Sequence, residues 1–140
     1  VNLKRIKPEY KNLRYKKILS HLSKMNTSKF DIALCVDRKI LESGTSNILF
    51  IKNNKIYSPI KKFYKGITFK FFETKMGKFI KKDIFIKSLQ KYDEIILIGS
   101  GKGVVSVSSI KEIKWKRKSL RFYKILSNIY KSEIIKAPTY

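Results

Sequence analysis

The sequence is poor in the residues that build disulfide frameworks, metal centres and histidine-dependent catalytic sites. Its 140 residues include one cysteine, Cys35, and one histidine, His21. A lone cysteine cannot form a disulfide within the chain, and Cys35 alternates with Ala33 along a predicted strand, so we interpret it as an inert thiol. A lone histidine supplies neither a metal cluster nor a Ser-His-Asp or Cys-His arrangement. We therefore predict no metal site.

Acidic residues are also scarce, with 10 Asp and Glu against 33 Lys and Arg, giving a net charge of +23 and a pI near 10.1. Such a balance often indicates nucleic-acid binding. Here the excess is nearly all lysine, spread from Lys4 to Lys136, and it accompanies abundant Ile, Asn and Tyr with very little Ala. That joint bias is typical of codon usage in an A/T-rich genome. Only residues 114–118 form a compact basic and aromatic cluster, so we expect attraction for anionic substrates rather than a nucleic-acid partner.

Long apolar runs are missing as well. No segment approaches the roughly 18 apolar residues of a membrane span, and no signal-peptide pattern is present. With 43% hydrophobic residues, the chain has enough apolar side chains for the core of one domain over residues 1–140. We expect a cytoplasmic protein without a membrane partner.

Three short segments combine residue types that suit a phosphorylated ring ligand. Residues 42–50 read Glu-Ser-Gly-Thr-Ser-Asn-Ile-Leu-Phe, so an acid precedes small hydroxyl residues and an apolar strand. Residues 66–68 read Gly-Ile-Thr and open a helical pattern, while the glycine-rich segment 99–103 follows a buried-strand pattern. Backbone N–H groups at a helix start or in a glycine-rich turn bind phosphate. A carboxylate can keep a ring nitrogen protonated.

Each segment also has a simpler interpretation. Glu42 alone would ordinarily be a solvated residue at a strand entry. Gly66 could be a turn glycine before a helix that Thr68 helps to start. The segment 99–103 could be a hinge between strands or a degenerate nucleotide loop. A Walker motif would lead into a helix, whereas Gly103 leads into an apolar strand pattern, so the nucleotide-loop interpretation is poor.

The order and spacing of the three segments resemble the class IV aminotransferase family, the pyridoxal-phosphate enzymes of fold type IV, over roughly residues 8–132. The resemblance implies pyridoxal 5'-phosphate as the cofactor and is strongest for the aminodeoxychorismate lyase branch. It implies that Glu42 binds the pyridine nitrogen. The remaining cofactor-binding residues that it implies are those around the phosphate, namely Ile67, Thr68, Gly99, Ser100 and Gly101.

The resemblance also implies a lysine upstream of the glutamate, just before a helix, that binds the cofactor covalently. Lys11, in the segment Lys-Asn-Leu-Arg-Tyr, matches this pattern best and is the predicted catalytic residue, 31 positions (42 − 11) before Glu42. Tyr15 is predicted to line the cofactor site or to pack in the core. Lys7, which precedes Pro8, is the main rival, and either lysine could instead be solvated.

The second phosphate segment bears on the reaction. Residues 99–105 are more similar to the lyase form than to the aminotransferase form, with Ser100 and Gly103 retained and Lys102, a predicted substrate-binding residue, in place of an arginine. Two positions depart from the family, since Ser106 replaces a proline and Phe69 replaces an arginine. The implied reaction releases pyruvate from 4-amino-4-deoxychorismate and gives 4-aminobenzoate, a step of folate biosynthesis. A branched-chain or D-amino acid aminotransferase is the second candidate function, and a non-catalytic basic nucleic-acid-binding module is the third candidate.

Apolar periodicity predicts alternating strands and helices without internal repeats. The resemblance assigns them to a mixed α/β fold, the C-terminal domain of the D-amino acid aminotransferase-like fold, with a mixed sheet or pseudo-barrel and packed helices. The predicted helices cover residues 12–25, 67–76, 84–91 and 118–132, and the predicted strands cover 30–36, 46–52, 55–57, 78–81, 94–98 and 103–110.

The resemblance further implies an organisation beyond this chain. We expect this chain to correspond to the larger domain of the family without the small N-terminal domain, and its sequence begins at Val1 rather than at a methionine. Family resemblance also implies a homodimer acting on a small-molecule substrate, and a fusion to or association with aminodeoxychorismate synthase.

Overall fold

The computed structural model describes residues 31–60, 65–101 and 103–136. Within them lie ten strands, two α-helices and two 3₁₀ helices, which we number in chain order. The elements are β1 (Ala33–Val36), β2 (Lys39–Ser43), β3 (Asn47–Lys52), β4 (Lys55–Ser58), α1 (Ile67–Met76), β5 (Ile80–Lys81), β6 (Ile84–Phe85), a 3₁₀ helix (Ile86–Lys91), β7 (Glu94–Gly99), β8 (Gly103–Ser106), β9 (Ser109–Ile110), a second 3₁₀ helix (Lys111–Ile113), β10 (Trp115–Lys116) and α2 (Arg121–Lys136).

A five-stranded mixed sheet organises the described part of the chain. Its strand order is β5-β4-β3-β7-β8, with only the β4–β5 pair parallel. A three-stranded antiparallel sheet of order β1-β2-β6 and the small β9–β10 ribbon complete the strands. The structure confirms the predicted mixed α/β class.

The five-stranded sheet separates two hydrophobic cores. Successive side chains of a strand point to opposite faces, so β3 sends Leu49 and Ile51 into one core and Ile48 and Phe50 into the other. The first core also contains side chains from both α-helices, namely Phe69, Phe72, Phe122 and Leu126. The second core contains residues of β2, β6, the first 3₁₀ helix with the residue that follows it, and the ribbon, namely Ile40, Ile84, Leu89, Tyr92 and Trp115.

Several predicted elements are confirmed. The hairpin of β3 and β4 turns at Asn53 and Asn54, whose φ angles of 52° and 59° match the left-handed backbone that asparagine tolerates in two-residue turns. Helix α1 has the predicted bounds and ends at Gly77, whose φ is 81°. Strand β7 extends the predicted 94–98 by one residue.

Other predicted elements were wrong in type or extent. Residues 84–91 were predicted as one α-helix, but Ile84–Phe85 pairs with β2 and the remainder is a 3₁₀ helix. Strand β2 was not predicted at all. The predicted strand 103–110 is divided, because β8 pairs with β7 whereas β9 pairs with β10. The predicted strand 78–81 shortens to β5.

The last helix begins at Arg121 rather than at 118, and it ends at 136 rather than at 132. The reason for the late start lies outside the helix, in the buried carboxylate of Glu94 on β7. Its oxygens accept hydrogen bonds from the backbone N–H of Phe122 at 2.9 Å and of Tyr123 at 3.0 Å. The Lys118 N–H instead donates to the Asp93 carbonyl at 2.8 Å, which keeps that residue outside the helix.

The predicted helix 12–25 and the start of the predicted strand 30–36 lie outside the described residues. In the part of the chain that is described, no helix has the length and apolar character needed to cross a membrane.

Candidate functional site

A tight turn joins β2 to β3 and is held mainly by Ser43. The Ser43 hydroxyl accepts a hydrogen bond from the Ser46 N–H at 2.8 Å and donates to the Ser46 carbonyl at 3.0 Å. The Ser43 N–H donates to the same carbonyl at 2.9 Å, and the Gly44 N–H donates to the Ile32 carbonyl at 2.9 Å. The turn thus fixes the end of β2 against the start of β3.

Glu42 lies one residue before this turn, inside β2 and opposite Leu34 of β1. The residue is only 3% exposed, so the interpretation of Glu42 as a solvated strand-entry residue is wrong. Burying a carboxylate is costly unless charged or hydrogen-bonding groups surround it. A buried acid beside a rigid turn is therefore suited to bind a cationic group.

The start of α1 offers backbone donors. The Gly66 N–H donates to the Asn47 side-chain oxygen at 3.1 Å, which ties the helix start to the first residue of β3. Among the described residues, no side chain caps this helix, and its first turn contains no acid. The N–H groups of Ile67 and Thr68 follow directly. Thr68 is buried and Ile67 is 79% exposed, so this helix end can receive an anion.

The end of β7 reaches the same place from the other side. In the sheet register, Asn47 pairs with Ile98, and Gly99 follows as the last residue of the strand. A Cβ atom on Gly99 would lie 3.1 Å from the Ser46 hydroxyl oxygen. Ser100 and Gly101 then form the exposed turn toward β8. Glycine at 99 thus permits a close approach of backbone to Ser46.

Ser46 and Asn47 therefore connect the two segments that were predicted to bind phosphate. A Cβ on Gly66 would lie 3.3 Å from the Asn47 side-chain oxygen, just as one on Gly99 would meet Ser46. Two glycines, neighbouring backbone donors and the absence of an acid in the first turn of α1 fit a phosphate group. Neither Ser46 nor Asn47 was predicted as a site residue. The available signal was two polar residues directly before a buried apolar strand.

The structure places six of the nine predicted site residues, and it brings five of them to one end of β3. These five belong to the start of α1 and to the turn after β7, namely Ile67, Thr68, Gly99, Ser100 and Gly101. Glu42 lies across the β2–β3 turn from them. Lys11, Tyr15 and Lys102 lie outside the described residues, as does the rival Lys7.

The carboxyl group of Glu73 and the thiol group of Cys35 have shifted pKa values. Burial raises the pKa of Glu73 on α1, but hydrogen bonds from the Lys81 ammonium at 2.6 Å and the Phe79 N–H at 3.3 Å outweigh burial and hold the pKa below its usual value. Burial raises the pKa of the Cys35 thiol, in keeping with its interpretation as inert.

The basic and aromatic cluster at 114–118 is not a stacking surface. The Trp115 side chain is fully buried in the second core, and its indole N–H donates to the Tyr92 carbonyl at 3.2 Å. Base stacking needs an exposed ring, so this cluster lacks the aromatic half of a single-strand binding site.

Solved structures with a similar fold include aminotransferases and a lyase. A proposed branched-chain amino acid aminotransferase from Thermotoga maritima is 19% identical, with a TM-score of 0.76 over 97% of this chain and 54% of that chain. A proposed 4-amino-4-deoxychorismate lyase from Legionella pneumophila is 18% identical, with a TM-score of 0.72 over 92% of this chain and 53% of that one. An aminotransferase from Brucella abortus bound to pyridoxal phosphate is 19% identical, with a TM-score of 0.66 over 88% of this chain and 46% of that chain.

At these identities the likeness establishes the fold, and this chain spans about half the length of the solved structures that it matches. A comparison with curated proteins gave no match. The sequence model of class IV amino-transferases, however, matches residues 1–110. Together, fold and sequence define an α/β domain of a cofactor-dependent enzyme family. The chain belongs to the class IV aminotransferase family.

Proposed function

We propose that this chain binds pyridoxal 5'-phosphate and forms part of a 4-amino-4-deoxychorismate lyase, which releases pyruvate and yields 4-aminobenzoate. The observation that carries the cofactor proposal is the convergence of the α1 start and the β7 end on Ser46 and Asn47. Two phosphate-binding segments far apart in sequence meet there, next to a buried carboxylate.

Each residue has a defined task in this proposal. The N–H groups of Ile67 and Thr68, the Thr68 hydroxyl and the turn of Gly99, Ser100 and Gly101 hold the phosphate. They act as charge-assisted hydrogen-bond donors at a positive helix end.

Glu42 accepts a hydrogen bond from the protonated pyridine nitrogen and keeps it protonated, because a buried carboxylate near a cation favours the charged pair. Lys11 would hold the cofactor covalently, and its amine would carry a proton at the substrate. Tyr15 lines the ring, and Lys102 attracts a substrate carboxylate. The bound cofactor supplies an electron sink for the bond that breaks on the substrate.

The choice of lyase rests on the second phosphate segment. Gly103 has a φ of 71°, a conformation that favours glycine, so this position of the lyase-like pattern is required by the backbone. Ser100 occupies the exposed turn as in that pattern. The solved structures with this fold include branched-chain aminotransferases, so amino transfer is the second candidate reaction.

Covalent capture tests the cofactor proposal. We expect purified protein mixed with pyridoxal phosphate to develop a visible absorbance band, and borohydride reduction with peptide mapping to place the label on Lys11. Lys11→Ala should abolish the band, whereas the matched control Lys124→Ala, at an exposed position of α2, should retain it. A label on Lys7 would assign the covalent attachment to Lys7 instead of Lys11. The absence of any specific label would overturn the proposal.

A coupled assay distinguishes the reactions. The lyase proposal requires pyruvate release from aminodeoxychorismate, and amino transfer to a 2-oxo acid without pyruvate release would favour the aminotransferase.

Glu42→Gln should retain the bound cofactor but lower turnover strongly, since a neutral amide cannot hold the ring nitrogen protonated. Full activity of that variant would remove Glu42 from the site.

Sedimentation of the cofactor-loaded protein tests the proposed homodimer, and pull-down with aminodeoxychorismate synthase tests the proposed association.

A further inference from the structure

The Tyr130 side chain on α2 touches both elements that carry the proposed phosphate site. Its ring carbons Cε2 and Cδ2 lie 3.3 and 3.7 Å from the point where a Cβ on Gly103 would stand. Gly103 opens β8 and pairs with Gly99, the last residue of β7. The Tyr130 ring therefore rests on the backbone of the turn that holds Ser100 and Gly101.

On its other side the same ring packs against α1. Its centroid lies 6.3 Å from that of Phe72 and 6.5 Å from that of Phe71. Phe72 is fully buried in the first core, so α1 is held firmly at this point. Phe72 lies one helical turn beyond Thr68 at the helix start.

The contacts are made by the ring and not by the hydroxyl. The Tyr130 hydroxyl makes no hydrogen bond with any residue in the described part of the chain, so only the backbone of this residue is hydrogen-bonded, within α2. The fit also depends on glycine at position 103, whose positive φ already excludes most side chains and whose missing Cβ leaves room for the ring. A methyl group at position 103 would compress against the ring edge. The pair of Gly103 and Tyr130 is thus one packing unit.

We propose that Tyr130 is a positioning residue, which sets the spacing between the α1 start and the turn at 99–103 so that both bind one phosphate group. The inference rests on the proposed cofactor site. It adds a requirement from α2, which lies beyond the residues 1–110 that match the family. A flat ring held between a helix and a turn resists their approach and their separation, because interiors are close-packed.

Comparing pyridoxal phosphate with pyridoxal isolates this task. Pyridoxal has the same ring and aldehyde but no phosphate, so it reports on the covalent and ring contacts alone. In Tyr130→Leu we expect the affinity for pyridoxal phosphate to fall about tenfold or more, since a displaced donor loses a hydrogen bond to a charged group. The affinity for pyridoxal should stay unchanged. Tyr130→Phe keeps the ring and should behave as wild type in both titrations.

Tyr123→Leu is the matched structural control. Tyr123 lies on the same helix, is partly buried and packs on the first core. It lies at the start of α2, however, where its N–H donates a hydrogen bond to Glu94. This variant should lower thermal stability while leaving the ratio of the two affinities at the wild-type value. Gly103→Ala, which compresses the same contact from the other side, should reproduce the selective loss seen in Tyr130→Leu.

The outcomes separate the two proposals. If wild type binds pyridoxal phosphate and both Tyr130→Leu and Gly103→Ala retain its ratio of affinities, Tyr130 has no positioning role. A parallel fall in both affinities would reduce it to a structural residue and likewise overturn the inference. If wild-type protein binds no pyridoxal phosphate, the proposed function fails and this inference fails with it.

Discussion

A single amide, that of Asn47, connects the first residue of β3 to the start of α1. Its oxygen accepts the Gly66 N–H at 3.1 Å, in a place where only 6% of the residue is exposed. Removing a buried acceptor leaves its donor without a partner, which costs about 1–3 kcal/mol. We expect Asn47→Ala to lower the free energy of unfolding by that amount and to weaken cofactor binding.

Urea unfolding measures the first effect and absorbance titration the second. Asn128→Ala changes the same residue type at an exposed position of α2 and should stay within about 0.5 kcal/mol of wild type. An Asn47→Ala protein as stable as that control would show that Gly66 finds another acceptor.

Glu73 gives the fold an acid-sensitive ion pair. Its pKa lies below the usual value, so the folded state binds the proton more weakly than the unfolded state. The stabilisation is present above the unfolded pKa, near about 4.3, and is lost as pH falls through the lower folded pKa. We expect Glu73→Gln to be less stable than wild type at neutral pH, with a difference that shrinks on acidification through that window.

Thermal unfolding at a series of pH values between neutral and strongly acidic checks this expectation. Glu112→Gln removes an exposed carboxylate from the second 3₁₀ helix and controls for the change in net charge. A constant difference between wild type and Glu73→Gln at all pH values would contradict the role of this ion pair.

Residue identity alone indicated two segments of the candidate site. The Gly-Ile-Thr and Gly-Ser-Gly segments could be found in the sequence because their chemistry is local, a helix start and a strand end. Ser46 and Asn47 could not be assigned roles, since their partners Gly99 and Gly66 are distant in sequence and meet them only through sheet register. The burial of Glu42 depends on β2, a strand that was not predicted.

At the scale of elements, α2 depends on a carboxylate from the sheet. Glu94 is 1% exposed and accepts the N–H groups of Phe122 and Tyr123, the second and third residues of the helix, while the Arg121 N–H donates to the Ser119 hydroxyl. Hydrogen bonds to a charged group contribute about 1.5–3 kcal/mol, more than those to a neutral amide. We expect Glu94→Gln to lower the free energy of unfolding by about 1.5–3 kcal/mol. Glu94→Ala should lower it further.

Urea unfolding followed by circular dichroism would measure both variants, again with Glu112→Gln as the exposed control. Stability equal to wild type in Glu94→Gln would show that the helix start is satisfied in another way. This cap also explains why apolar periodicity misplaced the helix start, because the signal for it lies 27 residues (121 − 94) earlier in the chain.

The β1–β2 hairpin turns through Asp37, which tolerates a left-handed backbone, and Arg38, which is poorly suited to it. Asp37 and Arg38 have φ angles of 52° and 62°, a left-handed conformation that costs a non-glycine residue about 1–2 kcal/mol. Arg38 is exposed, and its carbonyl accepts the Ile86 N–H at 3.0 Å, a bond that glycine retains.

We therefore expect Arg38→Gly to raise the free energy of unfolding by about 0.5–1 kcal/mol, after the greater flexibility of glycine in the unfolded chain is subtracted. Arg38→Ala, which removes the same charge but keeps the strain, should give no increase. Equal effects of the two substitutions in urea unfolding would attribute the change to charge. The missing glycine also explains why β2, the second strand of this hairpin, was not predicted from the sequence.

At the scale of the whole molecule, the net charge of +23 opposes compaction. Raising ionic strength from 0.01 to 0.15 M shortens the screening length from about 30 to about 8 Å, which weakens that repulsion. We expect sodium chloride over this range to raise the melting temperature by a few degrees, equivalent to about 1 kcal/mol.

A charge variant tests the cause. Lys116→Glu combined with Lys124→Glu changes two exposed positions and lowers the net charge by 4, from +23 to +19. Its melting temperature should depend less on salt than that of wild type. A melting temperature that falls with salt in wild type would show that ion pairs such as Lys75–Glu133, 2.9 Å apart, outweigh the repulsion.

Fold class was accessible from the sequence because β3 and β7 are long and apolar, and because α1 has a clear helical pattern ended by Gly77. The short strands and the 3₁₀ helices could not be predicted from the sequence. Strands of two residues, such as β6 and β9, gain their identity from the partner strand, and a 3₁₀ helix with one buried residue leaves no periodic signal.

The two ends of β7 have separate roles, and this separation matters for engineering the turn that follows the strand. Glu94, which anchors α2, lies about 17 Å from Gly99, where the exposed turn begins. A combinatorial library randomised at Ser100 and Gly101 would therefore vary the proposed phosphate-binding turn without disturbing the helix anchor, provided that Gly99, Gly103 and Tyr130 are left unchanged. Selection on such a library for altered affinity would act at one end of a strand while the other end preserves the fold.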